Sequence, residues 1–309
     1  MIYTVTLNPA LDKTVRIDDF AVDRVNRISA LRVDAGGKGI NVSKVIAKLG
    51  GRSTAIAILG GASGDLIARA LADAGIDCLP FEASGDTRTN LKVVDEALGT
   101  NTDINEPGPE IDEGTLATAL ATLTERIEPD DIVVLSGSLP KGAPADTYAT
   151  WAAACQRIGA RVLLDADGEA LRAGIAGRPY LIKPNDSELE RLVGRPLKDE
   201  GAIVAAAREI VEAGVERVVV TLGGDGALFV DAEGAVRARS PKVRVNSTVG
   251  AGDSVVASLA FGLDLGLPAA QTVVLAMAAG AANVMSEGTQ AAELSVIESL
   301  MGSVAYETV

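Results

Sequence analysis

Short runs of apolar, mostly β-branched residues recur along the chain, and stretches with a helical period of apolar residues separate them. The runs lie between polar or glycine-containing turns, which is typical of strands buried on both faces. They cover residues 2–7, 54–59, 132–135, 161–164, 180–182 and 217–222. The helical stretches cover residues 39–49, 65–74, 115–127, 145–158, 199–213 and 254–265. This alternation predicts an α/β protein whose mostly parallel sheet is covered by helices on both faces.

Two segments depart from the alternation, at residues 12–33 and 87–106. Their polar and apolar residues alternate with a period of two, and no helical stretch separates the strands that this period predicts. Within the second segment, Arg88, Asn90 and Lys92 fall on one face of a strand. That face is either the solvated side of an exposed strand or a surface that meets a polar or anionic ligand. We predict that both segments form a small β-sheet lid inserted into a single α/β domain spanning residues 1–309.

The composition fits a globular protein with a substantial core. Of the 309 residues, 48% are hydrophobic and 23% are charged, and 33 glycines suit a fold with many tight loops. Asp and Glu number 42 against 28 Lys and Arg, which gives a formal net charge of -14. Such a surface repels a nucleic-acid backbone, so an anionic ligand requires a local cluster of cations or backbone amides.

Two residue types limit the possible chemistry. Histidine does not occur, which excludes histidine-dependent triads, histidine metal ligands and imidazole as an acid or base. A catalytic base is therefore expected to be a carboxylate. Cys78 and Cys155 are far apart and outside any CxxC spacing, so neither a disulfide framework nor a zinc site is expected.

The sequence carries no signal for a membrane. Its first residues have the pattern of a strand and not of a basic, then apolar, leader. The apolar stretch at residues 272–284 is too short and too rich in Ala and Gly to span a bilayer. We therefore expect a cytoplasmic protein.

The strongest local signal is the sequence Ser-Thr-Val-Gly-Ala-Gly-Asp-Ser at residues 247–254, which continues directly into a helical pattern. Gly250 and Gly252 let the backbone turn so that its amides converge, and the helix N-terminus adds a partial positive charge there. Asp253 could be a simple helix cap. A cap does not require two preceding glycines, whereas phosphoryl transfer requires an anion-binding turn beside a proton-accepting carboxylate. The motif favours a phosphotransferase with Asp253 as its base.

A second glycine-rich element, Asp-Ala-Gly-Gly-Lys-Gly-Ile-Asn-Val, occupies residues 34–42 and also precedes a helical stretch. It could be only a tight turn between a strand and a helix. Lys38 and Asn41 within it favour a sugar or phosphate ligand, which needs close backbone approach and polar partners. Neither element has the Walker A spacing, and residues 59–65 do not match GxGxxG. Nucleotide binding is therefore expected to use another scheme.

Two further loops follow predicted buried strands. In the first, at residues 183–188, Glu188 is either a first-turn carboxylate favoured by the helix dipole or a ligand that holds Mg²⁺ through water. The second, at residues 221–226, contains three glycines and is either a nucleotide-facing loop or a hairpin turn.

Together these elements resemble the ribokinase-like, PfkB-type sugar kinases over essentially the whole chain. The resemblance is carried, in the expected order, by residues 8–12 (Asn-Pro-Ala-Leu-Asp), 36–42, 60–61 (Gly-Gly), 136–140 (Ser-Gly-Ser-Leu-Pro), 183–188 and 248–253. The chain looks most like the phosphosugar branch, which contains the 1-phosphofructokinases and the tagatose-6-phosphate kinases. The resemblance implies ATP and Mg²⁺, leaves a monovalent cation open, and implies a homodimer that pairs through the lid sheets.

The resemblance also implies roles for individual residues. Asp253 would be the base, and Gly250, Ala251 and Gly252 would form the anion hole. Residues of the sugar side would hold the hydroxyls and the phosphate of the substrate: Asp12, Gly37, Asn41 and Asn90, with Lys38, Arg88 and Arg27 as the cations. The nucleotide and metal side would be lined by Lys183, Asn185, Glu188, Thr221, Gly223 and Gly226.

The choice of sugar depends on weaker patterns. Residues 87–92 and 102–105 look like those of fructose-1-phosphate enzymes, whereas the Leu-Pro-Lys-Gly at residues 139–142 also occurs in tagatose-6-phosphate kinases. We expect the conversion of fructose 1-phosphate to fructose 1,6-bisphosphate. The alternatives are a tagatose-6-phosphate kinase, a 6-phosphofructokinase, a ribose or nucleoside kinase, and a non-catalytic sugar-phosphate sensor. A sensor would be expected to lack the base or an anion-hole glycine, and Asp253, Gly250 and Gly252 are all present.

Overall fold

The computed structural model describes residues 1–286, 288 and 290–309, and it contains two β-sheets. Its strands are β1 (Ile2–Thr6), β2 (Ala10–Arg16), β3 (Ala30–Gly36), β4 (Ser53–Leu59), β5 (Asp77–Glu82), β6 (Arg88–Asp95), β7 (Thr100–Asn105), β8 (Ile132–Ser136), β9 (Arg161–Asp165), β10 (Leu181–Ile182), β11 (Arg217–Thr221), β12 (Ala227–Asp231), β13 (Ala235–Arg239) and β14 (Ala305–Thr308). Its helices are α1 (Lys38–Lys48), α2 (Gly61–Asp73), α3 (Glu113–Arg126), α4 (Thr147–Ile158), α5 (Gly168–Gly174), α6 (Asp186–Val193), α7 (Glu200–Glu212), α8 (Ala251–Asp264), α9 (Ala269–Asn283) and α10 (Leu294–Met301).

The larger sheet has ten strands in the order β14-β13-β12-β11-β10-β9-β8-β1-β4-β5. In this sheet, the neighbouring strands β11, β10, β9, β8, β1, β4 and β5 are parallel to one another. Strands β12, β13 and β14 add an antiparallel edge beside β11. Successive residues of β8 pack into different cores, because Val133 and Leu135 join one hydrophobic cluster and Ile132 and Val134 join another. Burial on both faces explains the continuous apolar runs, and the predicted mostly parallel sheet is confirmed.

Helices cover both faces of this sheet. One face packs against α3, α4, α5, α6 and α7, and the other packs against α1, α8, α9 and α10. Helix α9 is buried around most of its circumference, which explains why its apolar residues show no amphipathic period.

The smaller sheet has four strands in the order β3-β2-β6-β7, taken from the two segments with a period of two. Strands β2 and β6 are parallel, and β3 and β7 pair antiparallel at the edges. One face carries Val15 and Val93, which form a small core with Ile17. The opposite face carries Asp12 and Asn90, which are directly paired across β2 and β6. Because β3 ends at Gly36 and α1 begins at Lys38, the smaller sheet is joined directly to a helix of the body.

Within the described ranges, none of the helices combines the length and the apolar composition that crossing a membrane would require.

Candidate active site

Charged side chains from distant parts of the chain meet at the carboxyl edge of the parallel strands. Lys38 begins α1, Asp165 ends β9, Lys183 directly follows β10, and Asp253 lies in the first turn of α8. In open α/β sheets, ligands bind outside this edge, because the loops there connect strands to helix N-termini. The fold therefore brings together three residues that the sequence predicted for the site and one, Asp165, that it did not.

Asp165 is the centre of this charge cluster. Its carboxyl is 1% exposed, and Oδ1 lies 3.2 Å from Nζ of Lys38 and 3.2 Å from Nζ of Lys183. Burial alone would raise the pKa of this carboxyl, but the two lysines hold it below its ordinary value. Its Oδ2 is buried and has no hydrogen-bond partner among the described residues. An acceptor in this state is available to a cation or a donor that a ligand brings.

Lys38 stays charged in spite of its surroundings. Burial tends to lower its pKa, but the charges of Asp165, Asp253 and Glu188 raise the pKa above its ordinary value. The side chain thus supplies a permanent positive charge beside the base.

Asp253 is buried, and one residue among those described donates a side-chain hydrogen bond to it. The residue is 6% exposed, and Nδ2 of Asn41 donates a hydrogen bond of 2.8 Å to its Oδ2. Burial, followed by repulsion from Asp165, raises the pKa of Asp253 to about 6, although Lys38, Asn41 and Lys183 oppose the shift. A carboxyl with such a pKa is ionised near neutral pH and is a stronger base than an ordinary aspartate.

The turn before α8 requires glycine at Gly250. This residue has φ of 81°, and a Cβ atom there would lie 3.1 Å from Nδ2 of Asn283, which donates to the carbonyl of Val249. No side chain among the described residues caps α8, and the amide of Ala251 makes only a long bond of 3.4 Å to the carbonyl of Thr248. The first-turn amides therefore remain available to an anion, as the motif predicts.

A cleft of about 420 Å³ opens on one side of this turn. Its polar lining includes four residues predicted for the nucleotide: Asn185, Thr221, Gly223 and Gly226. Its apolar walls come from β-branched and long side chains that suit a flat base: Val243, Val245, Val255, Met277 and Val284. The loop at residues 221–226 forms the hairpin turn between β11 and β12, and it also lines this cleft.

Glu188 has a structural contact that the sequence left open. It forms a capping box at the start of α6, in which its amide donates to Oδ1 of Asn185 at 2.7 Å and its Oε2 accepts from the amide of Asn185 at 2.8 Å. This geometry matches the first-turn interpretation. The charge of Glu188 nevertheless reaches Lys38, so the carboxylate lies near the cluster.

A second cleft, of about 240 Å³, lies on the other side of the turn and under the smaller sheet. It is lined by Val249 of the turn and by polar residues of the smaller sheet, among them Asp12, Asn90 and Lys92. Oδ1 of Asp12 accepts a hydrogen bond of 3.0 Å from Asn90. Burial raises the pKa of Asp12, although Asn90, Lys44 and Arg88 oppose the shift. The head of α8 thus lies between a partly apolar cleft and a polar one.

Gly37, which was predicted to lie on the sugar side of the site, occupies a position where the backbone conformation requires glycine. It has φ of 114°, and a Cβ atom there would lie 2.8 Å from Cγ2 of Thr6. The glycine lets α1 start close against β1, which brings Lys38 and Asn41 to the charge cluster.

Arg88 and Arg27, which the sequence predicted to bind the phosphate of the substrate, have surroundings unlike those of the other predicted site residues. Arg88 donates to the carbonyls of Asn8 at 3.1 Å, Pro9 at 3.4 Å and Glu106 at 3.1 Å, so it ties the smaller sheet to the body. Arg27 is exposed in the connection between β2 and β3 and lines neither cleft. Lys92, which lines the polar cleft, makes an ion pair of 4.0 Å with Asp103.

Comparison with known proteins identifies the class to which this fold and site belong. The sequence model for pfkB family carbohydrate kinases matches residues 5–295. The chain belongs to this family and is a carbohydrate kinase.

The relatives narrow the similarity to kinases of phosphorylated fructose. A 1-phosphofructokinase of Xanthomonas campestris pv. campestris is 42% identical to this chain. The alignment covers 84% of this chain and 83% of the relative. The ATP-dependent 6-phosphofructokinase isozyme 2 of Escherichia coli is 39% identical over 94% of each chain. The structure of phosphofructokinase-2 from Escherichia coli in complex with substrates and products superposes with a TM-score of 0.93 at 37% identity, over 98% of each chain. Other structures of that protein hold potassium or show a tetrameric inhibited form.

Proposed function

We propose that the chain transfers the γ-phosphoryl group of ATP to a free hydroxyl of a ketose monophosphate, with fructose 1-phosphate as substrate and fructose 1,6-bisphosphate as product. The observation that carries this proposal is the position of Asp253, buried in the first turn of α8, where Ala251 and Gly252 line one cleft and Val249 lines the other. A phosphoryl donor in one cleft and a hydroxyl in the other would meet beside the base. Similarity to 1-phosphofructokinases favours this ketose.

The residues of the chain divide the chemistry between them. Asp253 accepts the proton of the attacking hydroxyl, and Asn41 holds the carboxylate in place through its hydrogen bond. The amides of Gly250, Ala251 and Gly252 meet the negative charge that develops on the transferring group. Lys183, whose Nζ would be 3.2 Å from a Cβ on Gly252, and Lys38 add positive charge at the same point.

Mg²⁺ fits the donors of this site. The unpartnered Oδ2 of Asp165 and the carboxylate of Glu188 are oxygen ligands of the kind Mg²⁺ prefers, and it commonly uses one or two protein carboxylates together with water and phosphates. When bound, the ion would neutralise charge on the phosphates of ATP.

On the sugar side, Asp12, Asn90 and the backbone at Gly37 would hold hydroxyls. Arg88 and Lys38 would offset the phosphate, with Arg27 reaching a sugar site only if a second subunit or a movement of the smaller sheet brings it there.

A coupled assay of ADP release tests the proposed function. With fructose 1-phosphate, tagatose 6-phosphate, fructose 6-phosphate and ribose compared side by side, fructose 1-phosphate should give the highest kcat/KM. A higher value for another ketose phosphate would keep the kinase and change its substrate. No ADP release with any of them would favour a non-catalytic sensor.

The raised pKa of Asp253 predicts a pH dependence. Because a base must be deprotonated to act, kcat/KM should fall about tenfold per pH unit below about pH 6 and level off above it. Measurement of kcat/KM from about pH 5 to about pH 8 checks this expectation. The phosphate of the substrate also titrates near about pH 6. Asp165→Asn separates the titration of Asp253 from that of the phosphate. The substitution should shift the part of the pH profile that is due to Asp253 to lower pH and leave the part due to the phosphate in place. A limb near about pH 4, the ordinary range of a carboxyl, would contradict the prediction.

Arg88→Ala should raise KM for the phosphosugar far more than KM for ATP. The substitution removes a cation near the polar cleft and frees the smaller sheet from the carbonyls of Asn8, Pro9 and Glu106. Steady-state kinetics with each substrate varied in turn check the prediction. Arg195→Gln, which removes an exposed cation that lines neither cleft, is the matched control. A loss confined to ATP would argue that the smaller sheet does not hold the sugar.

We further propose a cytoplasmic homodimer that pairs through the smaller sheet. The face of that sheet turned away from Asp12 carries Leu31 and Val33, which are 58% and 45% exposed, and Ile104, which is 53% exposed. Exposed apolar patches of this kind mark interaction surfaces. Val33→Glu should convert the dimer to monomers in analytical ultracentrifugation, and an unchanged sedimentation coefficient would contradict the proposed interface.

A further inference from the structure

A third cleft, of about 490 Å³, opens at the amino edge of β9, β10 and β11, opposite to the active-site edge. One wall comes from β11, β12 and β13, and the other comes from the second half of α8, the turn after it and the start of α9. Apolar side chains line both walls: Val219, Phe229, Leu259, Leu263 and Val273. Protein interiors are packed densely, whereas ligand sites are partly apolar clefts of about 300–1,000 Å³. This cleft has the size and lining of a ligand site.

Two cations share one aromatic ring at the mouth of this cleft. The guanidinium carbon of Arg217 lies 5.4 Å from the centroid of the Tyr180 ring, and that of Arg161 lies 6.0 Å from it. All three residues line the cleft. Contact with the ring stabilises each cation, but two guanidinium groups on one ring also repel each other. The chain as a whole has a net charge of -14, so two neighbouring arginines are a local concentration of positive charge. A bound anion would stabilise them.

Among the described residues, Arg161 and Arg217 have few hydrogen-bond partners. Arg217 has an ion pair with Asp231 at 3.9 Å, which is too long for a hydrogen bond. Arg161 donates from Nη2 to the carbonyl of Asp130 at 3.4 Å, and its Nε has no partner in the part of the chain that the structure describes. A guanidinium offers five donors in a planar fork that matches a carboxylate.

The start of α9 adds to the positive potential of the cleft. Ala269 and Thr272 line the cleft, no described side chain caps α9, and its first turn contains no acidic residue. The carboxylates of Asp231 and Glu233 at the opposite wall oppose this potential. Asp231 already sits beside Arg217, so it marks the place that a carboxylate of a ligand would take.

We propose that this cleft binds a small organic carboxylate with a flat apolar body. The carboxylate bonds to Arg161 and displaces Asp231 from Arg217, and the body lies between Phe229 and the side chains of α8. This site is separate from the two clefts of the kinase reaction, and the proposal does not depend on the identity of the sugar.

Calorimetric titration with 2-naphthoate tests the site. The protein should bind one equivalent in the presence of saturating ATP, and neutral 2-naphthamide of the same shape should bind about tenfold more weakly, because bonds to a charged group are lost. Displacement of naphthoate by ATP would assign the binding to the nucleotide cleft and overturn the proposal. Absence of saturable binding would overturn it as well.

Three variants identify the charges involved. The double variant Arg161→Gln and Arg217→Gln should bind naphthoate no better than naphthamide, whereas Arg195→Gln, a matched loss of an exposed arginine, should not change the affinity. Asp231→Asn should bind naphthoate more tightly, which a partly unfolded protein would not do. If the double variant kept its full affinity, or if Asp231→Asn weakened binding, the proposed contacts would be wrong.

Discussion

Asp253→Asn is expected to lower kcat by about 10²- to 10⁴-fold, the usual worth of a general base. Asparagine keeps the size of the side chain and its hydrogen bond to Asn41, but it does not accept a proton at neutral pH. The fold and the affinity for ATP should therefore remain close to those of the parent protein. Single-turnover rates with fructose 1-phosphate measure the catalytic step, and calorimetric titration measures the affinity for ATP.

Asp264→Asn is the matched control for this experiment. Asp264 ends the same helix and pairs with the amino group of Met1 at 2.8 Å, so the substitution removes the same charge from α8 outside both clefts. It should leave kcat unchanged. Retention of more than about a tenth of the parent kcat by Asp253→Asn would retire Asp253 as the base.

Asp165→Asn is expected to destabilise the protein by about 3–5 kcal/mol, the cost of removing one partner of a buried ion pair. Lys183, with a side chain 5% exposed, would lose its counter-charge, and Lys38 would lose its partner as well. Denaturant unfolding measures the loss. The same substitution should lower the pKa of Asp253, since repulsion from Asp165 is one cause of its raised value.

Two further variants locate the origin of this loss. Lys183→Met added to Asp165→Asn should recover part of the stability, because it removes the charge left without a partner. Glu307→Gln breaks the exposed pair with Arg239 and should cost no more than about 1 kcal/mol. A cost of less than about 1 kcal/mol for Asp165→Asn would mean that the lysines find other partners or water.

The pattern of apolar residues predicted the parallel strands well, because burial on both faces leaves an unbroken run, as at β8. It missed the antiparallel edge of the sheet, and two of the three edge strands give a physical reason. Strand β14 is exposed throughout, and β13 carries the buried Arg237, which pairs with Glu200 at 2.8 Å. Neither strand has an apolar run. Helix α9 was noticed only as an apolar stretch, since a helix buried on most sides has no amphipathic period.

For the site, local motifs revealed those residues whose surroundings are set by nearby sequence. Gly250 and Asp253 share one turn, and the glycines beside Lys38 mark the start of α1. Asp165 was missed because its partners come from other strands and helices, and its only signal in the sequence is an acidic residue at the end of a buried apolar run. The spacing of Arg88, Asn90 and Lys92 predicted their common face, but it could not predict that carbonyls from two distant loops would surround Arg88.

The order of the charge cluster along the chain has a consequence for synthesis on the ribosome. Lys38, Asp165 and Lys183 emerge first and together carry one excess positive charge, and Asp253 follows only with α8. The same helix supplies Val256 and Leu259, which pack in one cluster with Val134 of β8. A nascent chain that ends before α8 would have both an exposed face of its central strands and an unbalanced interior charge. We expect a fragment ending at Asn246 to be digested rapidly by protease, and resistance of its central strands would show that they fold before α8 is made.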